Sequence, residues 1–233
     1  MTATAACGWV SPLLLTHSIA HWCGVLGDTT DSALAAELAG SDARLCRTRQ
    51  VHGAHWVDAT RCVGAHCEAD AVVSCQPNLV AAISTADCCP VLVACRSSGC
   101  VAAIHAGWRG LAADVIGATL HGMVQKYGAK PAHMVAAIGP CASGTRYEVG
   151  ADVISAFAAA GLSSSIRVPA GTRSGYAYAD CGSAACVLLK RAGVPEKSTE
   201  YNAPCTISDL RFPSYRRDRA NPARMTSAIA CRI

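Results

Sequence analysis

Apolar positions along the chain fall into two kinds of run. Short stretches rich in small and β-branched residues, bounded by Gly, Pro, Ser or Asp, occupy residues 71–73, 79–83, 91–94, 101–104 and 134–138. Such runs predict buried strands. Residues 9–15 read as a first strand and 225–231 as a last one, while 45–51 and 55–57 supply strand material around a turn at Gly53. The other runs have helical spacing. Residues 31–38 form a short helix with Asp31 as N-cap candidate and Gly40 as stop. Residues 111–127 place Val115, Ile116, Thr119, Leu120 and Met123 on one stripe ahead of Gly128. Residues 152–160 are amphipathic through Val153, Ile154 and Phe157 and end at Gly161; residues 178–191 are helical and close at Gly193 and Pro195. Between them, 163–175 is rich in Ser, Gly and Arg and reads as a mobile loop. Strands crowd the middle and helices intervene irregularly, which predicts a mixed α+β fold rather than a regular βαβ series. With no internal repeat and no linker, residues 1–233 read as one domain.

Composition narrows the class. Hydrophobic residues make up 52% of the 233 and charged residues 15%, enough to bury a sizeable core and too apolar for disorder. Aromatics are only 5%, so the core is built of small side chains, alanine above all. The net charge of +4 is mild. Its densest basic group, Arg211, Arg216, Arg217, Arg219 and Arg224, is either a solvated face or an anion site. Few aromatics interleave with it, so a nucleic-acid partner is not expected. Fifteen cysteines, an odd number without regular spacing, do not make a secreted disulfide framework. Residues 9–20 lack a preceding Lys or Arg and are interrupted by Pro12 and His17, unlike a signal peptide. No apolar run reaches the ~18 residues of a membrane span. The expectation is a cytoplasmic protein with reduced thiols and no membrane partner, in which Cys100, Cys181, Cys186 and Cys231 act as small buried hydrophobes.

Three residues carry candidate chemistry. His52, Cys88 and His105 each lie where an apolar run gives way to a turn marked by glycine or proline. Two imidazoles and a thiolate can hold zinc with one coordination position open, the pattern of a catalytic site. Spacing alone does not bring them together, because they are far apart in sequence. A metal-free Cys88–His105 thiol nucleophile therefore stays open as an alternative. His17, His21, His55, His66, His121 and His133 read as ordinary core or surface histidines. Cys62, His66 and Cys67 lack a second matching pair and read as a chance cluster.

The segments Gln50-Val51-His52-Gly53, Thr85-Ala86-Asp87-Cys88 followed by Pro90, and His105-Ala106-Gly107-Trp108-Arg109-Gly110 occur in the order found in the multicopper polyphenol oxidase, or laccase domain, family. That family includes purine nucleoside phosphorylases and a peptidoglycan-editing factor. The resemblance continues through Gly139-Pro140-Cys141, Tyr147-Glu148-Val149-Gly150, Cys205-Thr206 and Ser214-Tyr215-Arg216-Arg217-Asp218 with Arg224, and covers residues 45–230. It implies a mixed β-sandwich flanked by helices, with zinc on His52, Cys88 and His105, the metal falling to Cys88 rather than its neighbour Cys89. It implies catalytic roles for Asp87, as base or orienter against a turn-capping alternative, and for Arg109, as anion binder against a structural ion pair. Gln50, Tyr215, Arg216 and Arg217 are the implied substrate contacts. The N-terminal part departs from the family: Thr16 to Ala20 and Gly24 to Asp28 replace a Thr-Arg-x-Gly-Gly-Val segment, which leaves any contact from its arginine in doubt.

The resemblance implies a small-molecule substrate, a purine nucleoside with phosphate, and a phosphorylase that acts on adenosine, inosine and methylthioadenosine and deaminates adenosine. The alternative is a zinc amidase that removes serine from a muramyl nucleotide precursor, UDP-MurNAc-serine. Copper phenol oxidation is a weaker third. The chain has eight histidines and no His-x-His pair, so a trinuclear copper cluster is not expected, although copper can substitute on a His2Cys site.

Overall fold

Strands that are apolar at every position need cover on both faces, and this demand sets the layers. The computed structural model describes residues 8–25, 29–62, 67–219 and 223–231; His66 and part of the divergent 24–28 segment lie outside them. In chain order the elements are β1 (Gly8–Trp9), α1 (Pro12–Thr16), β2 (His21–Gly24), α2 (Asp31–Ala39), β3 (Arg44–Cys46), β4 (Trp56–Asp58), β5 (Ala71–Ser74), β6 (Leu79–Thr85), β7 (Cys89–Cys95) and β8 (Val101–Ala106). There follow α3 (Trp108–Ala112), α4 (Val115–Tyr127), β9 (Met134–Ile138), β10 (Glu148–Val149), α5 (Ala151–Ala159), β11 (Ile166–Arg167), β12 (Ala177–Ala179), α6 (Cys181–Arg191), β13 (Thr199–Glu200) and β14 (Met225–Ile229).

Two mixed sheets stack. One has the order β1-β2-β14-β6-β3 and the other β13-β9-β7-β8-β5-β4. Side-chain alternation sorts their residues into layers. Leu92, Ala94, Val101, Ala103, Val135 and Ala137 point between the sheets, against Cys23, Ala81, Ile83 and Ile229. Their neighbours Val91, Val93, Ala102, Ile104, Ala136 and Ile138 point the other way, under Leu120 and Met123 of α4, Phe157 of α5 and Leu188 of α6. On the far side α2 covers Val80, Ala82 and Ala228 through Leu34 and Ala35. The expected mixed β-sandwich flanked by helices is the observed α+β architecture. A small third sheet, β10-β12-β11, sits beside the helical layer.

Several boundaries differ from the sequence expectation for local reasons. Residues 9–15 are not one strand. Ser11 accepts the Leu14 N–H at 3.1 Å and Pro12 takes the first helical position, so residues 12–16 turn helical. The helix expected over 111–127 is two helices, broken where Asp114 adopts φ +57° and caps α4 by accepting the Gly117 N–H at 3.0 Å. Residues 177–179 pair as β12, and α6 starts only after Asp180 accepts the Ser183 N–H at 2.8 Å. Residues 163–175 are not wholly loop: 166–167 pair with β12. The stretch 45–51 keeps strand pairing only to Cys46, with an isolated bridge from Arg49 to Glu68.

Candidate metal centre and its cavity

Two turns and the end of a strand meet at one end of the six-stranded sheet. The β3–β4 turn brings His52 at φ +59°, and the β6–β7 turn brings Asp87 at φ +81° with Cys88 beside it. His105 comes from the end of β8, in register with Pro90. One ligating atom from each of His52, Cys88 and His105 lies within 4.8 Å of the others. The two imidazoles meet edge to face at 4.8 Å between centroids. Cys89 points the opposite way, fully buried in the core under the helices, so alternation at the start of β7 leaves Cys88 as the thiol of the cluster.

A carboxylate that sequence reasoning passed over joins two of these segments. Asp70 is fully buried. Its Oδ1 accepts the His105 Nδ1–H at 2.8 Å and the His52 N–H at 2.9 Å; its Oδ2 accepts the N–H of Gly53 at 2.6 Å and of Val51 at 3.3 Å. The one signal in the sequence was an aspartate set between Ala69 and an apolar strand, a residue type rarely buried without partners. Burial opposes charge on both partners of the neighbouring Cys88–His105 pair, but their hydrogen bonds win. Contacts from His105 and His52 bring the Cys88 thiol down to about 6, and those with Asp70 and Cys88 lift His105 to about 9. A thiolate is the form a metal needs. Two imidazoles and a thiolate, with one ring oriented by a carboxylate, fit a tetrahedral zinc site that leaves a position open.

Gly107 completes the enclosure. A Cβ built there would lie 3.2 Å from Cys88 Sγ and 3.2 Å from His52 Cδ2. Its backbone, φ −69° and ψ 165°, suits any residue, so space rather than conformation calls for glycine.

The cluster lies at a cavity of about 480 Å³ lined by His52, Asp87, Cys88 and Gly107, with Trp108, Tyr147 and Tyr215 as its rings. That volume is within the range of small-molecule sites. Arg109, Arg216, Arg219 and Arg224 also line it. Arg109 lies over the Trp108 ring at 4.2 Å, and Arg216 over Tyr147 at 4.9 Å while donating to the Glu148 carbonyl at 2.8 Å. Among the described residues, none of these four guanidiniums is paired with a carboxylate. Arg219 and Arg224 were not singled out as contacts from sequence; the basic cluster near the C-terminus was the trace of both, and Arg224 also belonged to the family resemblance.

The remaining expected contacts are placed differently. Gln50 does not line the cavity: its amide is tied at both ends to the Ser84 backbone, each bond 2.8 Å. Arg217 also points elsewhere, donating to the carbonyls of Thr206 at 2.6 Å and Phe212 at 2.9 Å and pairing with Asp218. It pins the segment that carries Tyr215 and Arg216. Asp87 reaches the cavity with both oxygens engaged, by Thr206 Oγ1 at 2.6 Å and the Arg216 N–H at 2.6 Å. A base role would require one of those bonds to open.

Every described cysteine is free, and no helix among the described residues is long and apolar enough to cross a membrane. Residues 29–232 match the family described as multi-copper polyphenol oxidoreductase laccase. A Deinococcus radiodurans protein named purine nucleoside phosphorylase is 37% identical over 196 residues, covering 84% of this chain and 74% of its own. One of the same name from Xylella fastidiosa is 41% identical over 167 residues, 70% of this chain and 62% of its own. The fold is similar to that of a Neisseria meningitidis protein, with TM-score 0.71 at 35% identity over 81% of this chain and 75% of that one. YfiH of Bacillus licheniformis gives TM-score 0.74 at 26% identity, over 81% and 74%.

Proposed function

We propose that this chain, which belongs to the multi-copper polyphenol oxidoreductase laccase family, is a zinc-dependent purine nucleoside phosphorylase that also deaminates adenosine. The observation that carries the reading is one cavity holding both His52–Cys88 and four arginines that have no carboxylate partner among the described residues. A phosphorolytic enzyme must hold a neutral nucleoside and a phosphate dianion side by side. Relatives named purine nucleoside phosphorylase support the same assignment. Bound by His52, Cys88 and His105, zinc would supply Lewis acidity at an open coordination position.

The chain's own residues divide the remaining work. Arg109, Arg219 and Arg224 bind the phosphate, their planar donors matching its oxygens. The rings of Trp108, Tyr147 and Tyr215 flank the purine. As the phosphate oxygen bonds to the sugar C1′ and the bond to the base breaks, positive charge develops on the sugar. Asp87 is a fixed carboxylate beside it, and it orients Arg216 through that residue's N–H. Cytoplasmic action on free nucleosides belongs to the same reading. A multicopper reaction needs further histidine ligands, and among the described residues His52, Cys88 and His105 are the one such cluster.

The test is release of free base from adenosine and inosine by zinc-loaded protein, with and without phosphate. Phosphate-dependent formation of base and sugar phosphate is expected, with ammonia from adenosine reporting deamination. A chelator should abolish both and zinc restore them; indifference to chelator would favour the thiol mechanism. No base release, together with serine release from UDP-MurNAc-serine, would replace this reading with the amidase. Phenol oxidation by protein containing stoichiometric copper and little zinc would replace it with the oxidase.

A further inference from the structure

We infer that Asp70 is the positioning residue of the metal centre: one buried carboxylate fixes the tautomer of His105 and the backbone of the His52 turn together. This inference rests on the metal reading above but not on the identity of the substrate. His52 and His105 are far apart in sequence and come from different segments, and their rings touch edge to face at 4.8 Å between centroids. Asp70 ties the two segments together with its full accepting capacity. A carboxylate offers about four lone-pair sites, and four N–H groups occupy them: two on Oδ1 from His52 and the His105 ring, two on Oδ2 from Val51 and Gly53.

The backbone of Asp70 joins the same two segments. Its N–H donates to the His55 carbonyl at 2.9 Å, and its carbonyl accepts the His105 N–H at 2.7 Å. The turn that carries His52 is therefore clamped at both ends to the residue that orients His105. Because Asp70 accepts the hydrogen bond of His105 Nδ1–H and so keeps the proton on Nδ1, Nε2 is the nitrogen left with a lone pair for the metal. The left-handed backbone of His52, unfavourable for a residue with a Cβ, is held where two successive N–H groups converge on one carboxylate.

The donor count makes the substitution Asp70→Asn informative. An amide has one accepting end and one donating end, so in either orientation its NH2 group faces two N–H donors. Either the His105–His52 pair or the Val51–Gly53 pair loses its acceptor.

The experiment measures zinc affinity by competition with a chromophoric chelator, and the visible spectrum of the cobalt(II)-substituted protein, for wild type and Asp70→Asn. It adds long-range nitrogen NMR of zinc-loaded wild type labelled with [15N]histidine, a readout that needs no variant to fold. Expected are a protonated Nδ1 and a metal-bound Nε2 on His105. In folded Asp70→Asn, zinc binding should weaken about 10- to 100-fold with altered cobalt–thiolate bands. A merely structural role would lower thermal stability but leave the His105 tautomer and the cobalt spectrum unchanged. A metal-bound Nδ1, or a folded Asp70→Asn with wild-type affinity and spectrum, would overturn the inference while leaving the zinc reading intact. Wild-type protein that binds neither metal at these residues overturns both.

Discussion

Replacing Gly107 by alanine adds one methyl group at the most crowded point of the metal centre. The backbone at φ −69° and ψ 165° accepts alanine without strain, so the effect isolates the Cβ. That atom would meet Cys88 Sγ and His52 Cδ2 at 3.2 Å each, with His105 Cε1 at 3.8 Å. Comfortable carbon contacts lie at ~3.5–4.0 Å, so the two nearer ligands must each give by roughly 0.3–0.5 Å if the ordinary range is to be restored. A metal site tolerates only about ±0.2 Å in its bond lengths. The methyl group therefore costs metal affinity more than it costs fold. Overpacking of this kind runs to about 1–3 kcal/mol, and a loss of about 1.4 kcal/mol is tenfold in affinity. Zinc titration against a chromophoric chelator should show Gly107→Ala binding at least about tenfold more weakly. Base release should fall in parallel, and the metal-free protein should melt near the wild-type temperature. Wild-type zinc affinity and turnover in this variant would refute the claim that the bare Cα of Gly107 reserves the space over the three ligands.

Other perturbations probe the surroundings. Asp87→Asn sets an NH2 group against the Thr206 or Arg216 donor, which should loosen the 214–217 segment, and it removes the negative charge beside the sugar, so KM should rise and kcat should fall together; an unchanged kcat would show that the Asp87 charge does not act in the transition state. Burial holds the pKa of His21 below 6.5, and its Nε2 accepts the Ser11 N–H at 2.7 Å. The unfolded chain thus takes up a proton first as pH falls. Stability from His21 is complete above about 6.5 and is lost from there down toward the folded value; melting curves of His21→Gln should show a weaker decline across that window, and an unchanged slope would exclude His21 as its source. A Cβ at Gly122 would fall 2.2 Å from the Trp56 ring beneath α4. Gly122→Ala should therefore destabilise by roughly 1–3 kcal/mol in denaturant unfolding, and wild-type stability would show that Trp56 moves aside freely.

Legibility followed the physics of each feature. The central strands β6 to β9 could be read from the chain because sheet positions buried on both faces are apolar throughout, and their ends carry turn residues. The short strands β2, β10, β11 and β13 could not, since two to four residues show no period and these lack the turn-bounded apolar run that gave away β5. Break points at Ser11, Asp114 and Asp180 depend on one side chain accepting one backbone N–H, a choice that hydrophobic pattern does not record.

The sequence by itself determined the mixed α+β class, because burial pattern is a property of residues and their immediate neighbours, and its family motifs singled out His52, Cys88 and His105 as the ligands to expect. Only the tertiary structure decided that three distant segments close on one point and that alternation at β7 sends Cys88 to the cluster and Cys89 to the core. It also moved Gln50 and Arg217 out of the cavity, brought Arg219 and Arg224 in, and put Asp70 between two ligands. Each of those outcomes rests on which backbone segments the sheets bring together, and strand pairing across dozens of residues is invisible until the chain has folded.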